Sequence, residues 1–457
     1  MKYFAERVLP LRHLRLLIAM TLGLGLILGL LWVLRGPSNA AMAQGHLAPV
    51  SPDLARWPAP VVVAGSLLPD LAGSPLDEVF VYAYQGSTPI QIPFQIDERD
   101  AGGMYVAVED GHLDGNDELV FMAADSGGWV DHPSLGTTGA PITPTYVVTI
   151  TDPISDTHAW AYVFRSAVLS RVFTADYVSY DAGNDRITSP GRYGVGFDGP
   201  HGFMDYLTLG DSGQDVLDRA KLRISGTLEV HGTLTPLLLN EENISKDAVH
   251  VIDGPVRVTR VSTSTRPGEG GWVRDTATLF AYRSLVVRPE TVVIPGAPAH
   301  IVYLRTSLDW NEHVAGMTYY DANNPAGAII DGGPDTLVIT PSSTWSQVTG
   351  VSGTLVIVSE TPAGLGGSPS TYYKDDDSVV DGSDTGDRLS YGDAGLQVDN
   401  PNPDSYVLLG HIYFPTSTLA NVGATYAGYY DNPLQTSVGT VRSRWTIYLP
   451  LVAKDSP

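Results

Sequence analysis

No cysteine occurs in the 457 residues, which removes disulfides, thiolate zinc sites, iron–sulfur clusters and cysteine nucleophiles together. Basic residues are scarce too: 27 Lys and Arg stand against 50 Asp and Glu, a formal net charge of −23. A nucleic-acid partner needs a basic face for its phosphates, so that class is excluded. Charged residues make only 17% of the chain while apolar ones reach 43%, a ratio incompatible with wholesale disorder. Helical periodicity is nearly absent, residues 214–221 being the one short candidate.

What the chain has in excess is turn chemistry. Glycine (48) and proline (33) amount to about 18% of it, against about 12% in ordinary proteins. Between their clusters lie apolar runs of three to eight residues rich in Val, Ile, Thr and Tyr, such as residues 79–84, 146–150, 159–164, 299–304 and 354–358. Such runs are strands. The expected fold is all-β: two or three packed antiparallel β-sandwiches after an N-terminal signal or anchor helix. The expected divisions are 52–150, 155–335 and 336–448, with a tail at 449–457; one large sandwich over 155–440 is the alternative.

Residues 1–43 read as an address. Lys2, Arg7, Arg12 and Arg15 precede an apolar stretch at 16–34, followed by Arg35 and Ala41-Met42-Ala43. This is the pattern of a secretory signal with its cleavage site, although 19 apolar residues also suffice for a membrane anchor. Either way the expected location is secreted or at the cell surface, with membrane contact only through 16–34 if the leader stays. Removing it leaves 22 basic against 49 acidic side chains, a charge of −27, which repels polyanions and attracts cations.

Two acidic clusters stand out. In residues 109–118, Asp110, Asp114, Asn116 and Asp117 are spaced on a glycine-turned loop, as calcium ligation requires. Phe121 occupies the position of an EF-hand's last ligand, so an EF-hand is excluded; turns built by Asx hydrogen bonds account for the pattern equally. The second cluster, Asp375, Asp376, Asp377, Asp381, Asp384, Asp387 and Asp393, has only Lys374 and Arg388 nearby as local positive charges. Seven carboxylates repel one another unless solvated or neutralised, and Asp377, Asp381, Asp384 and Asp387 are the candidate calcium ligands.

Nucleophile patterns fail. Gly210-Asp211-Ser212-Gly213 and Asp125-Ser126-Gly127-Gly128 echo a serine-protease strand, but the required His and Asp order is missing. Neither a Gly-x-Ser-x-Gly elbow nor a His-Glu-x-x-His helix occurs. Two stretches mix aromatic and polar groups: Arg192 with His201 and Tyr206, and Trp310, Glu312 and His313 with Tyr319 and Tyr320. Aromatic faces stack on sugar rings and polar groups read hydroxyls. His201, Tyr206, Glu312 and His313 are the candidate catalytic groups of a polysaccharide lyase or hydrolase. Arg192, Trp310, Tyr319 and Tyr320 are the candidate ligand contacts. Aromatic rungs and turn residues of an ordinary sandwich explain the same residues.

Pro93-Phe94-Gln95-Ile96-Asp97 followed by Asp117-Glu118-Leu119-Val120-Phe121 resembles the opening of an uncharacterised β-sandwich family of exported bacterial proteins that accompanies polysaccharide-degrading enzymes. Asp253-Gly254-Pro255-Val256-Arg257 is similar to a later strand of that family and to the large sandwiches of sugar mutarotases and polysaccharide lyases. The resemblance implies an extracellular polysaccharide partner and carries no catalytic residue across. The expectation is therefore an exported carbohydrate-binding or surface-interaction protein with calcium-stabilised loops, with a lyase or hydrolase and a purely structural envelope protein as alternatives.

Overall fold

The computed structural model describes residues 59–131, 133–135, 146–268, 271–378, 380 and 384–441. The leader, the tail and Asp381 lie outside the described residues. Among those described the chain is all-β, with antiparallel sheets and one α-helix, Gly423–Asp431.

The first sandwich sets three strands against five. Pro60–Ala64, Glu118–Met122 and Phe94–Asp97 form one layer, in that order. Gln435–Thr440, Tyr146–Asp152, Thr157–Arg165, Val79–Gln85 and Thr88–Gln91 form the other. Alternation decides which side chains meet: Val61, Val63, Leu119 and Phe121 face Val79, Val81, Val148 and Val163 in one buried cluster. The strand Gln435–Thr440 comes from the far end of the chain and pairs with Tyr146–Asp152.

The second sandwich is larger. Its nine-stranded layer runs from Ser245–Asp253 through Arg257–Gly268, Gly271–Tyr282, Leu285–Ile294, Asp404–Tyr413, Gly353–Ser359, Trp345–Gly350 and Thr318–Asp321 to Ala328–Ile329. Facing it are a five-stranded sheet and a four-stranded one. The five are Thr233–Asn240, Leu217–Val230, Ala299–Trp310, Asp393–Asp399 and Ser368–Lys374. The four are Met204–Leu209, Tyr193–Phe197, Arg186–Ser189 and Ser179–Asp181. Strands from both sides of residue 336 are shared by the nine- and five-stranded sheets. The short helix expected at 214–221 is instead the start of the strand Leu217–Val230. Pairing along Ala299–Trp310 supplies its backbone partners, and side-chain burial on one face outweighs local propensity.

The two sandwiches meet where the three motifs of the resemblance converge. Gln95 Oε1 accepts from the amides of Val256 (2.9 Å) and Arg257 (2.8 Å), and Gln95 Nε2 donates to Asp97 (2.7 Å). The buried Arg257 guanidinium bridges Asp97 (2.5 Å) and Glu118 (2.6 Å) and lies against the rings of Phe280 and Tyr105. A Cβ at Gly254 would stand 2.4 Å from Gln95 Oε1, so the turn accepts only glycine at this approach. These motifs serve a joint. Val120 and Met122 complete it by packing on Val256, Tyr282 and Val356.

Candidate functional site

Between the nine- and five-stranded sheets the apolar packing separates into two clusters, one around Trp310, Val348 and Ile412, the other around Leu222, Leu304 and Leu408. A cavity of about 120 Å³ takes walls from both, with Arg288, Thr306, Ser343, Ser359, Glu360 and Thr371 among its polar lining. Ser343, Ser359, Glu360 and Leu396 also wall a wider cleft of about 500 Å³, which adds Ser342, Thr344, Thr361, Tyr430 and Asp431.

The helix Gly423–Asp431 supplies one side of this cleft. It sits close on the sheet because position 423 is glycine: a Cβ there would fall 2.1 Å from a Trp345 ring carbon. The Gly423 amide donates to Gln347 Oε1 at 3.0 Å, anchoring the first turn. The last turn carries Tyr430, whose hydroxyl donates to Glu360 Oε2 at 3.0 Å. Burial and the Glu360 charge push the Tyr430 hydroxyl up to about 12, so it stays a donor at neutral pH. His411 stands edge-on to the Tyr430 ring at 4.8 Å, and burial pushes it down to about 4, so it is neutral there. Hydroxyls that donate and accept, two carboxylates and a half-buried ring make a surface suited to a polyol.

The opposite face of the five-stranded sheet is charged. Alternation sends Ala220, Leu222 and Ile224 into the apolar clusters and Lys221 and Arg223 the other way. Lys221 Nζ is shared between Asp309 and Asp384, the latter at 2.8 Å. Arg223 binds Glu241 at 2.6 Å, together with Asp384 and the Thr385 hydroxyl. Burial opposes charge on Lys221, but the facing Asp309 and Asp393 carboxylates outweigh it and hold the ammonium above its usual range. Burial would likewise raise Asp384; Lys221 and Arg223 overcome it and lower that group. Asp309 and Asp393 go the other way, raised by burial, and for Asp309 by the Asp393 charge as well. Asp218 is pushed up to about 6 by burial and by Asp387.

The second acidic cluster of the sequence is thus divided. Asp375 accepts from the amides of Asp331 and Gly332, Asp377 accepts from Tyr391 at 3.0 Å, Asp384 joins the two basic side chains, and Asp387 approaches Asp218 through its amide (3.1 Å). Lys221, Arg223, Asp218 and Asp309 escaped the sequence reading, although basic and apolar residues alternate at 219–224.

The first cluster is built from turns. Asp117 accepts from the amides of Arg99 (3.0 Å) and Asp114 (2.8 Å), Asp114 from Asn116 (3.0 Å) and Asp110 from His112 (2.8 Å). Asn116 donates to the Arg99 and Asp100 carbonyls. One carboxylate oxygen each of Glu109, Asp114 and Asp117 still lies within 4.8 Å of the others.

The aromatic stretches do not converge on the cleft. Trp310 and Tyr319 are core residues with 1% and 0% exposure, which corrects their assignment as ligand contacts: a strand's inward face buries them. Tyr320 points to the other face and packs near Trp345. Tyr206 lies under the Arg186 guanidinium at 3.6 Å, and His201 Nδ1 meets the Ile244 carbonyl at 2.7 Å. Arg192 is half-buried beside Arg283 and Tyr426. Glu312 and His313 sit on a turn after Ala299–Trp310, with His313 Nδ1 2.8 Å from the Asp215 carbonyl. None of the four catalytic candidates lines the cavity or the cleft.

No protein-family model matches the chain, and no curated protein does. Among solved structures it is similar to an α-mannosidase from Enterococcus faecalis V583 at TM-score 0.42 and 9% identity, over 87% of this chain and 45% of that one. A glycosyl hydrolase family 38 protein from Enterococcus faecalis gives TM-score 0.43 and 10% identity, over 84% and 46%. A GalM/aldose epimerase homologue from C. elegans gives 0.33 and 11%, over 50% and 96%. The chain spans less than half the length of the first two, and likenesses this slight carry no functional weight.

Proposed function

We propose that this is a carbohydrate-binding protein, working outside the cytoplasm, that holds a polysaccharide segment in the cleft between the helix Gly423–Asp431 and the nine-stranded sheet without turning it over. The observation that carries the reading is the cleft's lining: Ser342, Ser343, Thr344, Ser359 and Thr361 around the Tyr430 ring, with Glu360 and Asp431 at hand. About 500 Å³ lies within the range of pockets that enclose small ligands. Serine and threonine hydroxyls match sugar hydroxyls, carboxylates accept from them in pairs, and the tyrosine ring offers an apolar face. Carboxylates that burial raises, Asp218, Asp309, Asp375 and Asp393 among them, do not line the cleft, which favours binding over chemistry. The leader and the acidic surface motivate the extracellular assignment.

Thermal melting of the full chain across neutral and acidic polysaccharides tests this, each hit being assayed for new reducing or unsaturated ends. A raised Tm without new ends is the expected result. New ends would replace the binding reading by the lyase or hydrolase, and no shift with any polymer would sink the carbohydrate assignment.

A further inference from the structure

We propose that Asp218, Asp309 and Asp387 hold a divalent cation of the calcium class, pinning the segment 384–390 onto the edge of the charged sheet face. One carboxylate oxygen from each of the three lies within 4.8 Å of the other two. Two come from paired strands, Leu217–Val230 and Ala299–Trp310, and the third from the covering segment.

Unsatisfied atoms supply the second, independent observation. Asp309 is fully buried; Lys221 occupies its Oδ2, while its Oδ1 has no hydrogen-bond partner among the described residues. Asp218 is alike: Oδ1 accepts the Asp387 amide, and the buried Oδ2 has no partner. A carboxylate oxygen withdrawn from water and left unpaired is costly, and Asp309 and Asp218 both belong to this one group of three carboxylates, so a ligand is expected there. Gly386 fits the same picture. Its φ is +70°, and a Cβ there would stand 1.9 Å from Asp218 Oδ2, so glycine alone lets the segment approach this closely.

Carboxylate oxygen without sulfur or imidazole selects a hard ion, and calcium completes its six to eight ligands with water and carbonyls. Asp387 is exposed, which leaves an entry from solvent. This inference is independent of the cleft.

Calorimetric titration of the chelator-treated full chain with calcium, magnesium and manganese ions is the test, repeated on Asp387→Asn, Asp218→Asn and Asp114→Asn. Asp387 is exposed, so Asp387→Asn is the informative variant. Calcium uptake should weaken more than tenfold in Asp387→Asn and Asp218→Asn and persist in Asp114→Asn. No saturable uptake of any ion up to millimolar concentration would overturn the proposal. Uptake sensitive only to Asp114→Asn would do the same by assigning the ion to the 109–118 turn, and a preference for magnesium over calcium would overturn the ion class.

Discussion

Arg257 carries a full charge into a dry joint and remains charged there. Burial alone would lower its pKa, but Tyr282, Asp97 and Glu118 hold it well above the usual value. Replacing it with alanine strands Asp97, 1% exposed, beside an unfilled space. The expected loss is about 3–5 kcal/mol of unfolding free energy, measured by denaturant titration. Arg165 pairs with Glu78 at 3.0 Å on the surface, and its removal should cost less than about 1 kcal/mol. His411 sets a pH dependence of definite sign. Its folded pKa of about 4 lies below the usual histidine value of 6.5. Above pH 6.5 both states are neutral and stability is complete. As the pH falls from 6.5 to 4 the unfolded chain binds a proton that the folded chain refuses, and stability drops by about 3 kcal/mol in total. His411→Phe should flatten that part of the stability profile; an unchanged slope would assign the loss to other groups.

At the scale of elements, glycine is required at some positions and wasteful at others. Gly395 lies in the strand Asp393–Asp399, where a Cβ would stand 2.0 Å from the Thr306 carbonyl. Gly395→Ala should therefore destabilise by about 1–3 kcal/mol, as overpacking does. Gly428, inside the helix, has nothing within 4 Å of a built Cβ, and Gly428→Ala should stabilise by about 1 kcal/mol. Opposite signs in two melting curves check both. Strands were legible in the sequence because β-branched runs between turn residues have few other solutions. The strand Leu217–Val230 was not, because Gln214-Asp215-Val216-Leu217 reads as well for a helix. Yet Arg219-Ala220-Lys221-Leu222-Arg223-Ile224 alternates with period two, and that was the available signal for a charged sheet face. Acidic residues were visible as clusters, but their partners Lys221 and Arg223 lie more than 150 residues away in sequence, beyond any local pattern. The cleft was less legible still. The stretch near residues 335–350 reads as Ser/Thr/Gly-rich, but nothing local shows that Tyr430 will stand opposite Glu360.

Across the described residues, strands far apart in sequence close both sandwiches. Without disulfides, the joint at Arg257 and the charged sheet face take up the stapling that packing alone would otherwise have to provide. The cleft faces solvent with hydroxyls and carboxylates, in keeping with a chain of net charge −23 that repels polyanions at long range; neutral polysaccharides are therefore expected to bind more tightly than acidic ones, and more so at low salt. The most direct test is the affinity of the full chain and of Tyr430→Ala for whichever polysaccharide raises Tm most, by titration calorimetry. Binding should weaken at least about tenfold, roughly 1.4 kcal/mol, in a variant whose circular dichroism shows the fold retained. Equal affinity in the two proteins would contradict the cleft as the binding site.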